Sequence, residues 1–254
     1  MGRRFRVAVL ALILVFVALS AYCDRHYTAE WKHPLRVAVF PINADGSATT
    51  EQYIRALPAD EFASVEAFFT SEGARYAVGV EQPVRFTLAQ QLPHPPPMIA
   101  ADAGRLSVTL WSLRMRYWAW RVHSPPGTRI RLFVLYHDPQ QSSALPDSLG
   151  MQKGLYAIVH AFADRGMEGS NATVMAHELL HTLGATDKYR ADDNQPRHPE
   201  GFAEPDRQPL YPQSHAELMA GRIPLSANEA VTPDSLRQVV IGPWTAAEIG
   251  WGLR

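Results

Sequence analysis

Apolar residues fall in short bursts along this chain, and their spacing predicts an alternation of strands and helices. Residues 35–42 (LRVAVFPI) form a largely apolar run of strand length, with Pro41 near its end. Over 59–76, Phe62, Val65, Phe69 and Tyr76 recur at three- to four-residue steps, which predicts an amphipathic helix. Asp60 and Glu61 sit at its N-terminal end, where the helix dipole favours negative charge. A second strand is expected at 84–92. The stretch 106–122 (LSVTLWSLRMRYWAWRV) fits a helix or a strand, and we read it as helix. Residues 130–136 (IRLFVLY) and 155–162 (LYAIVHAF) are further strands.

Ser170 to Thr173 supply capping side chains for a helix expected to run to Leu183, and Asn171-Ala172-Thr173 is also a glycosylation sequon. Beyond residue 187 the pattern dissolves into loop to about 225, and a short helix starting at Thr245 closes the chain. Strands and helices first, then a long helix, then an irregular tail is the order of an α+β fold. One domain over 35–254 follows, preceded by a polar connector at 24–34.

The chemistry concentrates in residues 177–187 (HELLHTLGATD). Residues four apart share a helix face, so His177 and His181 can direct ring nitrogens at one ion. Glu178 is rotated about 100° from His177, away from that ion but within reach of a water beside it, the place of a general base. Leu179, Leu180 and Leu183 fall on the opposite, core-facing side. Gly184 follows the last apolar position, where helices end in a positive-φ residue. The turn brings Asp187 round as a third, oxygen ligand and leaves a fourth position open. The bare HExxH pattern arises by chance in roughly 2% of chains of this composition, and adding the glycine and aspartate lowers that below about one in 10,000. An ordinary amphipathic helix with solvent-facing histidines is the alternative.

This stretch resembles the metzincin-like zinc peptidases, whose pattern is HExxHxxGxxH or HExxHxxGxxD with a later methionine turn. The aspartate form resembles the small snapalysin-type proteases. Met219, within Glu217-Leu218-Met219-Ala220-Gly221, looks like the turn methionine. The resemblance implies a zincin fold: a mixed twisted sheet, an active-site helix and an irregular C-terminal subdomain, with Zn2+ held by His177, His181 and Asp187. It implies peptide-bond hydrolysis with Glu178 as base, and a strand at 154–159 that edges the cleft and pairs with an extended substrate. The chain departs from the pattern where Gly221 stands two residues after Met219, a place some metzincins give to tyrosine.

Other residues compete for roles. His198, His215, Glu204 and Glu217 are alternative third ligands. Met219 is otherwise a core filler. Asp192-Asp193-Asn194 fits calcium or a solvated turn. His160 reads as a satisfied core residue, and Tyr189 and Tyr211 are the nearest hydroxyls for polarising a carbonyl.

Composition bounds the partners. Of 254 residues 46% are hydrophobic and the net charge is −1, with no basic block outside the N-terminus, which argues against nucleic acid. Proline clusters within 93–97 and 196–212 predict stiff connections. Arg3, Arg4 and Arg6 precede an uncharged run at 7–22 within an N-terminal element at 1–23. That element predicts a membrane anchor with the catalytic domain outside the cytoplasm, or a signal cleaved near 18–20 to release a secreted or periplasmic form. Cys23 is the lone cysteine, so no internal disulfide forms. Two rival functions remain: a zinc-stabilised extracytoplasmic binding protein without turnover, and a metal-dependent hydrolase of a non-peptide amide.

Overall fold

The structure, a computed structural model, describes residues 30–99, 104–152 and 154–252, with isolated positions before residue 16. Most of the run at 7–22, and Cys23, lie outside the described residues. No helix among those described is long and apolar enough to cross a membrane.

In chain order the elements are β1 (Leu35–Asn43), α1 (Ala48–Arg55), α2 (Ala63–Arg75), β2 (Val84–Leu88), α3 (Arg105–Arg121), β3 (Ile130–His137), β4 (Leu149–Met151), β5 (Tyr156–Phe162) and α4 (Glu168–Leu183). After α4 come the two-residue strands β6 (Ala216–Glu217), β7 (Ile223–Pro224), β8 (Ala230–Val231) and β9 (Val239–Val240), then α5 (Pro243–Glu248). The main sheet has the order β2-β1-β3-β5-β4. β2, β1, β3 and β5 run parallel, and β4 is antiparallel to β5. The chain is therefore mixed α/β with a mixed sheet.

Parallel neighbours need crossovers, and the crossovers cover both sheet faces. Val37 and Val39 of β1, Leu132 and Val134 of β3, and Ala157 and Val159 of β5 face one core with α1, α2 and α4. Their chain neighbours Ala38, Phe40, Phe133, Leu135, Tyr156 and Ile158 face the other, with Trp111, Met115 and Ala119 of α3. Burial on both faces is why these strands read as nearly continuous apolar runs, broken only by Arg36, Arg131 and His160. α4 packs Met175, Ala176, Leu179, Leu180 and Leu183 into the first core. Each buried leucine there contributes about 1.5–3 kcal/mol relative to exposure.

Several expectations are corrected. β5 lies between β3 and β4, so 154–159 cannot take a substrate strand; the sheet edge beside the motif helix is β4. α4 begins at Glu168, and Ser170 to Thr173 lie within it. Asn171 is buried, accepting from the Phe162 amide at 3.0 Å and donating to the Phe162 carbonyl at 2.9 Å. It ties α4 to the end of β5 and is neither a cap nor accessible to a glycan. The closing helix starts at Pro243, with Thr245 buried inside it. Trp31, in the segment read as connector, is buried against Trp251 at 5.3 Å.

Candidate metal centre

α4 sets His177 and His181 one turn apart, with ring centroids 4.7 Å apart. Each imidazole is fixed through Nδ1 by a backbone carbonyl. His177 Nδ1 lies 3.0 Å from the Leu218 oxygen and His181 Nδ1 2.9 Å from the Ala185 oxygen. A carbonyl only accepts, so both Nδ1 atoms carry the hydrogen and a neutral ring presents Nε2 as a lone pair. Gly184 ends the helix at φ 102°, and the Ala185 amide closes back on the Leu180 carbonyl at 3.0 Å. That left-handed turn is what a glycine allows.

The turn carries Asp187 back over the helix. Its Oδ1 lies 3.2 Å from His177 Nε2 and 3.1 Å from His181 Nε2. Oδ1 is buried but aligned with neither ring as a hydrogen bond. Burial resists ionisation of Asp187, yet where the two imidazoles carry a proton on Nε2 they outweigh it and hold the carboxyl below its ordinary range; metal in place of that proton would act in the same direction. Glu178 is buried, and its ligand atom lies within 4.8 Å of those of His177 and His181. Its Oε2 has no hydrogen-bond partner. Burial raises the Glu178 carboxyl, against the pull of the two imidazoles and of the Gly150 amide. His177, Glu178 and His181 form a group that could hold a metal ion, and two lone-pair nitrogens with the Asp187 oxygen about 3 Å from both are donors of the kind zinc takes.

β4 packs directly on this centre. A Cβ at Gly150 would come within 2.5 Å of both the Glu178 carbonyl oxygen and His181 Cβ, so only glycine lets the sheet edge approach. Met219 is buried in the first core, and its carbonyl accepts from the Lys188 amide at 2.9 Å. Glu217, weighed as a ligand, is instead the clamp of this turn. It is buried and accepts from the Met219 and Ala220 amides at 2.7 and 3.1 Å and from Thr245 Oγ1 at 2.6 Å. The loop carrying Asp187 is held from α5: Glu248 accepts from Thr186 Oγ1 at 2.7 Å and from the buried Lys188 Nζ at 2.7 Å.

The remaining candidates separate cleanly. His198 contacts the Pro205 carbonyl, Glu204 accepts from Ser214 and Arg207, and His215 pairs with Ser214, so none joins the centre. Asp193 is paired with Arg190 and Asp192 is 81% exposed, which makes 192–194 a solvated turn. Tyr189 lines the cleft, and burial followed by the nearby Asp187 carboxylate raises its hydroxyl. Tyr211 packs on Phe202 instead. A cavity of about 460 Å³ opens beside Glu178, lined by His177, Val174, Tyr189, Leu218 and Pro233. Another, of about 510 Å³, lies between α2 and residues 235–240, away from the motif.

Sequence reading missed Gly150, the Leu218 and Ala185 carbonyls, and the Glu217 and Glu248 clamps. Gly184 was the signal for the Ala185 turn; the others carry none. In comparisons with known proteins, no family model matches the chain and no curated protein matches it.

Proposed function

We propose that this chain is a zinc-dependent endopeptidase acting outside the cytoplasm, held at a membrane by its N-terminal segment. The observation that carries the reading is the convergence of His177 Nε2, His181 Nε2 and Asp187 Oδ1, with the unpartnered Glu178 Oε2 beside them. A zinc ion in this donor set supplies Lewis acidity and makes water nucleophilic near neutral pH. His177, His181 and Asp187 are its ligands. Glu178 Oε2 takes the proton of the attacking water and returns it to the leaving amine nitrogen. Tyr189, which lines the same cavity as Glu178, is the hydroxyl that would hydrogen-bond the scissile carbonyl. The outer edge of β4 orients an extended peptide by backbone pairing, which favours a peptide over a smaller amide.

The test pairs elemental analysis with digestion of a peptide library. One zinc per chain is expected, with cleavage that Glu178→Gln reduces by about 10²–10⁴-fold while zinc stays bound. Zinc without cleavage in the wild type would leave a metal-stabilised binding protein. Absence of zinc, with none taken up on titration, overturns the assignment.

A further inference from the structure

α3 buries one apolar stripe and exposes another. Trp111, Met115 and Ala119 are buried on the sheet, and Trp118 meets Phe133 at 4.7 Å between ring centroids. On the opposite side Leu106, Leu110, Leu113, Tyr117 and Trp120 are 73, 59, 58, 59 and 75% exposed. At about 100° per residue these five fall within an arc of about 80°. Together they expose on the order of 600 Å² of largely apolar surface, the upper end of what a soluble monomer leaves uncovered. Exposed Arg114 and Arg121 flank the stripe on one side, and Arg116 on the other. No aspartate or glutamate occurs in the helix.

We propose that α3 docks in the plane of an anionic lipid surface, with Leu106, Leu110, Leu113, Tyr117 and Trp120 in the headgroup–acyl boundary. A leucine stripe containing tyrosine and tryptophan, edged by arginines and free of acidic residues, is the composition of an interfacial helix. Tyr117 and Trp120, with apolar rings and polar tips, suit that depth. The arginines give the face charge complementarity to anionic headgroups. A protein groove would need its own apolar surface and acidic rim, whereas an anionic bilayer offers an apolar boundary and negative charge along the whole stripe. The inference stands on α3 and does not depend on the peptidase reading.

The test uses the full chain in vesicles carrying a photoactivatable phosphatidylcholine, with and without phosphatidylglycerol, and maps lipid adducts by mass spectrometry. Adducts are expected within 106–120 as well as in the N-terminal run, with the α3 adducts about tenfold more abundant on anionic vesicles, the scale of one or two arginines at a charged surface. The variant Leu110→Glu/Leu113→Glu/Trp120→Glu changes only exposed positions. It should lose the α3 adducts, keep those of the N-terminal run and retain its circular dichroism. If the variant unfolds, quenching of wild-type fluorescence by bromolipid, compared with Trp120→Phe, reads the same contact. Adducts confined to residues 1–30 overturn the proposal. So do Tyr117 and Trp120 shielded from hydroxyl-radical oxidation before lipid is added, because the N-terminal run or a second copy would then cover them.

Discussion

Asp187 decides what the pair of histidines becomes. Without it, His177 and His181 are two imidazoles anchored to carbonyls on an amphipathic helix. With it, a buried oxygen stands 3.1–3.2 Å from both Nε2 atoms and has no other partner. Asp187→Ala should therefore lower zinc affinity by more than about 100-fold, beyond the 10–100-fold typical of residues acting through a ligand. Asp192→Ala and Asp193→Ala, in a solvated turn, should leave it unchanged. Competitive titration with a chromophoric chelator measures all three, and a larger effect at His198, His215 or Glu204 would reassign the ligand. Gly150 makes a second residue-scale claim. A methyl there must push β4 off Glu178 and His181. Gly150→Ala should cut kcat by about 10²-fold, the cost of a displacement near 1 Å, while zinc content holds. Full activity in that variant would show that the edge strand does not position the base.

Among the elements, β3 and β5 hold a histidine pair, His160 buried and His137 half-buried. His137 Nε2 lies 2.9 Å from His160 Nδ1. Burial lowers both rings, and burial plus His137 bring His160 to about 4 against an ordinary 6.5. The unfolded chain then binds more protons between about pH 4 and 6.5, so stability is full above that window and lost as pH falls through it. His160→Gln should flatten the dependence by up to about 2 kcal/mol between pH 7 and pH 5, measured by denaturant midpoints at matched zinc loading. Parallel curves for the two proteins would refute the assignment. His160 was legible as a core residue from its apolar strand, but its partner on another strand was not. The same limit runs through the fold. β1, β3 and β5 announced themselves because both faces are buried, and the motif because helical period alone brings His177 to His181. Leu149-Gly150-Met151 is too short to show a period, and it is a strand only because β5 is there to pair with. Glu217 and Glu248 look like surface carboxylates until Thr245 and Lys188 arrive from 28 and 60 residues away.

At the scale of the molecule, the sheet separates two sides. α4 and the metal centre pack on one face, α3 on the other. Sheet and helix layers are each about 10 Å thick, so a bilayer beneath α3 leaves the motif helix on the water side. Substrate would then reach the β4 edge from solution while the chain stays attached. In the proposed topology Arg3, Arg4 and Arg6 would set the direction, with the N-terminus cytoplasmic and everything after the apolar run outside. Membrane fractions are thus expected to cleave soluble peptides added from the extracytoplasmic side, and the mature chain to keep residue 7 onward. Fractionating cells and sequencing the mature N-terminus checks both. A form beginning near Ala21 refutes anchoring by the N-terminal run, and leaves α3 as the contact with lipid only where that form stays with the membrane fraction. A cytoplasmic form refutes export, and with it the placement of the cleft.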